Sequence, residues 1–302
     1  MNEPTEPIAY PEGTGASSEV PGDIYQAIEA LQRTLLANEK LGRIREQADD
    51  LANLGICYRL LGNIPKAIDF ILRSLSIEES LGRLDGQATQ LGNLGICYEI
   101  LGDIPNAIDL IRRSLTINER LGRLEAQAAA LGNLGVCYQM LGDIPRAIDL
   151  IRRSLDINRK LERLEAQADD LGNLGICYQV LQEFPQAIDL IQRSFDINER
   201  LGSLAGCAAA LGNLGICYQN LRETSKALDL HRRALEIDVQ LGNMKGQARH
   251  LGNLGLCHQT LGDLAMARDH LTRALGLYEK IGITESHPYV DLLQRTVTSL
   301  DS

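Results

Sequence analysis

Apolar side chains recur at helical spacing along almost the whole chain. Within residues 84–122, Leu84, Ala88, Leu91, Leu94, Gly95 and Tyr98 form one apolar stripe. Gly102 then stops the helix, and Asp103 is placed to cap the next one with its side-chain oxygen. Pro105 falls in the first turn that follows, where its missing N–H costs nothing. Ala107, Ile108, Ile111, Leu115 and Ile117 mark a second amphipathic helix that runs to Leu121 and stops at Gly122. No segment alternates with the period of a strand, so the spacing predicts an all-α protein.

The same helix–turn–helix returns with a fixed period. Asn-Leu-Gly-x-Cys begins at Asn53, Asn93, Asn133, Asn173, Asn213 and Asn253, each 40 residues after the last. Residues 84–123 and 124–163 agree at 28 of 40 positions. Such self-similarity predicts a stack of one supersecondary unit. The ends break the pattern. Residues 1–22, rich in Pro, Glu, Gly and Ser, are expected to be a disordered acidic tail. Residues 23–282 hold the array: a half unit over 23–42, aligned with a second helix, and then six units of 40 residues. The half unit hints at repeats that once preceded it. Residues 283–302, with Leu292, Leu293 and Val297, are expected to form a C-terminal capping helix over the last apolar face.

Leu91, Leu94, Gly95, Tyr98, Gly102, Ala107 and Ile111 fall where the signature residues of the tetratricopeptide repeat fall. The chain resembles that family over about residues 23–300, in a variant lengthened to 40 residues from the common length of about 34. Similar long repeats occur in kinesin light chains and spindle-orientation adaptors. The sequence departs from the family at the usual alanine late in the second helix, which is Ser114 here but Ala234 and Ala274 later. The family's helix-breaking proline is also absent. The resemblance implies a right-handed α-solenoid of stacked helix–turn–helix repeats whose concave groove takes a protein or peptide partner.

Composition and charge narrow the function. Residues of hydrophobic type make up 44% of the chain, enough for a sizeable core, with no Trp and three Phe. The net charge is −10, and Glu3, Glu6, Glu12, Glu19 and Asp23 supply half of it with no Lys or Arg among them. That balance argues against nucleic acid. No apolar run reaches the roughly 18 residues of a membrane span, and the N-terminus lacks a secretory pattern. A cytoplasmic protein is expected, as a monomer or a weak homo-oligomer.

The candidate ligand residues lie on the repeated first helices. Asn is a poor helix former, yet Asn53, Asn93, Asn133, Asn173, Asn213 and Asn253 stand mid-helix. In the resembled family this position faces the groove, where a carboxamide can donate to and accept from a peptide backbone. The other reading is that each Asn locks one repeat to the next. Gly92, Gly132, Gly172, Gly212 and Gly252 run beside them, with Ala52 in the first place. Close packing of successive first helices is the expected reason, and a groove floor left bare for a ligand is the alternative. A row of Ile56, Ile96, Val136, Ile176, Ile216 and Leu256 follows. A further row of Leu60, Ile100, Met140 and Val180 gives way to Asn220 and Thr260, so the expected groove turns from apolar to polar. A clamp for a terminal carboxylate is not expected: Thr89, Gly92, Asn93 and Ala129 fill its places, with Arg249 as the one cation.

Other repeated residues read as structural. Cys57, Cys97, Cys137, Cys177, Cys217 and Cys257 sit on helices about 8–10 Å apart, beyond the roughly 7 Å that a disulfide allows. They lack the spacing of a metal site and are expected to pack as small hydrophobes. Cys207 replaces the Gln of other units (Gln47, Gln87, Gln127, Gln167, Gln247). Asp–Arg pairs at i,i+4, such as Asp109–Arg113, keep the second helices wet. His231 and His258 replace an Ile and a Tyr and are expected to face each other between the fifth and sixth units. No catalytic, metal or cofactor constellation stands out. The reading is a non-catalytic scaffold that holds an extended peptide segment. The alternative is a ligand-responsive sensor or regulatory module of a larger signalling system.

Overall fold

The computed structural model describes residues 21–283 and 287–300. Among them, every regular element is helical. The chain divides into two compact units, one over Ala16–Arg163 and the other containing Leu164–Ser302.

The described part of the N-terminal unit begins with α1 (Pro21–Lys40), which starts two residues before the composition changes. Three helix pairs follow: α2 (Ile44–Leu60) with α3 (Ile64–Ser80), α4 (Leu84–Ile100) with α5 (Ile104–Arg120), and α6 (Leu124–Met140) with α7 (Ile144–Lys160). The C-terminal unit holds α8 (Leu164–Val180), α9 (Phe184–Leu201), α10 (Leu204–Asn220), α11 (Thr224–Gln240), α12 (Met244–Thr260) and α13 (Leu264–Lys280). It closes with α14 (Pro288–Leu300). The N-terminal tail expected over residues 1–22 lies outside the described residues, apart from its last two. No described helix is long and apolar enough to cross a membrane.

The caps form as the spacing predicts. Asn63, Asp103, Asp143 and Asp263 each accept a hydrogen bond from the backbone N–H three residues on. Gly102 takes φ +77° at the turn, a left-handed geometry that glycine adopts without strain. At the equivalent turns Glu162, Gln182 and Arg222 adopt φ of 54°, 59° and 61° with a side chain present.

Within a pair, glycine lets the helices touch. A methyl on Gly95 would lie 2.4 Å from Ile111 Cγ1 and 3.3 Å from the Ala107 carbonyl, and Gly55, Gly135 and Gly175 stand against Ile71, Ile151 and Ile191 in the same way. The departure at Ser114 also has a role. Ser74, Ser114, Ser154 and Ser194, all buried, donate to the carbonyls of Ala48, Ala88, Ala128 and Ala168 at 2.6–2.9 Å. Between pairs, the Gln that precedes each first helix's buried alanine reaches back. Gln47, Gln87, Gln127 and Gln247 donate to the carbonyls of Asn38, Glu78, Asn118 and Asp238, at the ends of α1, α3, α5 and α11. α1 therefore stands where a second helix would stand. Cys207, buried at the same position, has no amide to make this link.

Asp–Arg pairs line the second helices at 3.1–4.0 Å, as at Asp109–Arg113 and Asp269–Arg273. α14 delivers Val290 and Leu293 into a cluster with Leu251, Leu271 and Tyr278, which covers the apolar side of α12 and α13.

Candidate functional site

The first helices are α2, α4 and α6 in one unit and α8, α10 and α12 in the other. On each, the two leucines that flank the Asn (Leu91 and Leu94 around Asn93, for example) are buried in the pair. This fixes the helix rotation and leaves the Asn at the edge of the packed face. Asn53 is exposed, while Asn93, Asn133, Asn173 and Asn213 are half-buried. Asn253 is 6% exposed.

The asparagines do not serve as a uniform lock. The side chains of Asn53, Asn133, Asn173 and Asn213 make no hydrogen bond among the described residues. Asn93 Nδ2 donates within its own helix, to Gln90 Oε1 at 3.3 Å. Asn253 alone is tied to another helix: its Oδ1 accepts the Tyr289 hydroxyl at 2.8 Å. Locking falls instead to glutamines further along. Gln179 Nε2 donates to the Asn213 carbonyl at 2.7 Å and lies 3.1 Å from Cys217 Sγ. Gln219 Nε2 repeats this toward the Asn253 carbonyl at 3.4 Å and Cys257 Sγ at 3.0 Å.

The glycine ladder divides. At Gly212 and Gly252 the next helix fills the space: a methyl there would meet His250 Cε1 or the Tyr289 hydroxyl at 2.5 Å. Close packing explains these two. At Gly92 and Gly172 the nearest atoms to such a methyl are Ser114 Oγ at 3.4 Å and Ser194 Oγ at 3.5 Å, an ordinary contact distance. Packing does not require glycine there.

Ile100, Met140 and Val180 end their helices 53%, 43% and 47% exposed. Leu60 and Asn220 are half-buried, and Asn220 Nδ2 donates to the Ile216 carbonyl of its own helix. In the row before them Val136 and Ile176 are buried, so that row serves mainly the core. Arg249 is half-buried beside the capping helix. Its Nη2 lies 3.4 Å from His250 Nε2, its carbonyl accepts from the Tyr289 hydroxyl, and burial lowers its pKa. Asn253 is thus buried against α14, and the Arg249 backbone is bonded to it.

The histidines pair differently from expectation. His231 lies 5.8 Å from His250, ring centroid to ring centroid, and His258 stacks on His270 at 5.2 Å. His231 and His250 are fully buried. His250 Nε2 is 3.2 Å from Asp238 Oδ2, and His231 Nε2 is 3.2 Å from Gln219 Oε1. Burial lowers both imidazoles, and His250 lowers His231 further. The seven cysteines are free thiols. Burial pushes Cys137 and Cys177 up to about 12 and Cys217 and Cys257 up to about 11, which removes thiolate chemistry at neutral pH.

A carboxylate went unnoticed in the sequence. Glu99 occupies on α4 the position that Gln179 and Gln219 hold on α8 and α10, and its charge raises the pKa of Cys137 on α6. Its own carboxyl is pushed up to about 7 by burial.

The tetratricopeptide repeat family model matches residues 87–160, 167–240 and 226–280. The chain belongs to the tetratricopeptide repeat family. Tetratricopeptide arrays are in general non-catalytic modules for protein interaction or regulation. Several solved structures share this fold at low identity. A Rap protein complexed with Competence and Sporulation Factor is 14% identical with a TM-score of 0.64, over 92% of this chain and 86% of that one. BtubC (BKLC) from P. vanneervenii is 20% identical with a TM-score of 0.59, over 74% and 91%. A STAND protein with a tetratricopeptide repeat sensor from Pyrococcus horikoshii is 15% identical with a TM-score of 0.69, over 93% of this chain and 42% of that one. No curated protein sequence matches the chain significantly.

Proposed function

We propose that the protein is a non-catalytic cytoplasmic scaffold that holds an extended peptide segment of a partner along the asparagine-bearing first helices of each unit. The carrying observation is the set of half-buried carboxamides at Asn133, Asn173 and Asn213, which have no side-chain partner within the protein. A carboxamide offers both donor and acceptor, the pair that an extended backbone presents. Asn93 joins them by giving up a weak bond inside its own helix. Asn253 illustrates the chemistry: its oxygen already takes a hydroxyl donor from outside its helix. Asn253, buried against α14, is left out of the ligand surface.

Gly92 and Gly172 support the same reading. A glycine inside a helix costs about 1 kcal/mol relative to alanine. Where a methyl would fit, that cost needs another reason, and close approach of a ligand backbone supplies one. Ile100, Met140 and Val180 then receive apolar side chains of the ligand. The test replaces Asn93, Asn133, Asn173 and Asn213 together by alanine and measures binding of peptides selected on the wild type from a random dodecapeptide library. Loss of binding by a variant with unchanged circular dichroism is expected. Full binding would remove the asparagines from the mechanism.

A second reading is a ligand-responsive regulatory module. It is favoured by the likeness in fold to a protein described as a tetratricopeptide sensor and to a Rap protein carrying a named factor. Small-angle scattering with and without a selected peptide separates the two. A ligand-dependent change in dimensions favours the sensor, and an unchanged profile favours the scaffold.

A further inference from the structure

On α8 and α10 the glutamine six residues after the asparagine has a defined task, whereas Gln139 on α6 is buried with its amide unpaired. Gln179 and Gln219 each spend an N–H on the carbonyl of the next Asn and on its neighbouring thiol. An ionised carboxylate cannot take over that task, since it has no proton to give and a carbonyl opposite would repel it. Yet Glu99 stands at this position on α4. It makes no hydrogen bond or ion pair with any described residue, and it is only partly buried, so its carboxyl stays open to an incoming group. The same position on α2 holds Arg59, whose Nε is buried without an acceptor. Arg59 acts on Cys97 rather than on Glu99.

We propose that the segment held by the asparagine-lined face is basic, and that Glu99 selects it by pairing with a Lys or Arg side chain of the ligand. The pairing sits beside Ile100, which is exposed and offers contact to the aliphatic stem of such a side chain. A carboxyl raised to about 7 by burial alone lacks a cation beside it, and a ligand cation placed there would lower it and complete its ionisation at neutral pH. The C-terminal unit, taken by itself, carries a second such acid. Asp169, exposed and one turn before Asn173 on α8, has its carboxyl raised above the ordinary range by the packed helix beneath it and by Glu165. The net charge of −10 adds long-range attraction for the same class of ligand.

The inference rests on the groove reading above, and the test separates the two. A random dodecapeptide library displayed on phage is selected on the wild-type protein, and the enriched peptides are measured by isothermal titration calorimetry. Three proteins are compared: wild type, Glu99→Gln with Asp169→Asn, and the fourfold asparagine-to-alanine variant. Gln is the residue of four other repeats at the position of Glu99, so that exchange keeps the fold. Enrichment of Lys and Arg is expected, with a loss of about tenfold or more in affinity when the two carboxylates are neutralised. A pool without basic residues that still depends on the asparagines overturns this inference and leaves the groove standing. Basic peptides that bind the neutralised variant at full strength overturn it as well. Peptides indifferent to the asparagine variant, or a library with no enriched peptide, overturn the groove reading and this inference with it.

Discussion

The hydroxyl of Tyr289 on the capping helix donates to Asn253 Oδ1 at 2.8 Å and closes over the last asparagine of the ladder. The same hydroxyl lies 3.3 Å from the Arg249 carbonyl. Tyr289→Phe keeps the ring and leaves Asn253 buried without its donor. The variant is expected to lose about 1 kcal/mol of stability, read by chemical denaturation. An unchanged midpoint would mean that the hydroxyl contributes nothing there.

Gly92→Ala and Gly95→Ala separate packing from function three residues apart. A methyl at position 92 meets Ser114 Oγ at 3.4 Å and fits, so the exchange is expected to add about 1 kcal/mol of stability through helix propensity. The same change is expected to weaken peptide binding, because the bare stretch of helix is lost. At position 95 the methyl would press on Ile111 at 2.4 Å, and the variant is expected to be destabilised. Thermal melts together with binding isotherms check both. A Gly92→Ala protein that is more stable and binds as before would remove the glycine from the ligand surface.

His231 and His250 set an acid limit for the C-terminal unit. Facing them are Asp238, Gln219 and Arg249, with Asn243 bonded to Asp238, and burial holds His231 neutral well below its ordinary range. The unfolded chain takes up a proton near pH 6.5 that the folded chain refuses, so stability is lost as pH falls below about 6.5. The slope reaches about 1.4 kcal/mol per pH unit for each such histidine. Isoleucine stands at this position in four other second helices, and Gly55 meets Ile71 as Gly215 meets His231. His231→Ile is therefore expected to flatten the loss between pH 7.5 and 5. Melts of equal pH dependence in the two proteins would contradict this.

Three turns carry a strain that glycine would relieve. Glu162, Gln182 and Arg222 hold left-handed backbone where the other repeats use Gly. A side chain in that region costs roughly 1–2 kcal/mol, partly offset by the greater freedom of glycine when unfolded. Gln182→Gly with Arg222→Gly is expected to raise the midpoint of thermal unfolding, and a lowered midpoint would refute the strain.

Much of this architecture is legible in the sequence because each repeat states the same local rules six times. The caps at Asp103 and Asp143, the stop at Gly102 and the packing of Gly95 follow from spacing alone. What spacing does not give is which residue of one helix meets which residue of the next. His231 therefore pairs with His250 and not with His258, since their meeting depends on the rotation of α12 against α11. The ladder of glycines looks uniform in sequence but divides into packed and open members, according to whether the next helix presents His250, Tyr289 or nothing near. Glu99 escaped notice for a related reason. It resembles one more polar variant of a glutamine position until the carbonyl acceptors of Gln179 and Gln219 show what that position does on α8 and α10.

The most direct measurement is the side-chain amide spectrum of the ¹⁵N-labelled protein, titrated with a peptide selected from the dodecapeptide library. The resonances of Asn133, Asn173 and Asn213 are expected to move to saturation together, while those of Asn118, Asn158 and Asn198, buried in second helices, stay in place. Ladder resonances that do not move at saturating peptide would contradict a groove held by the asparagines.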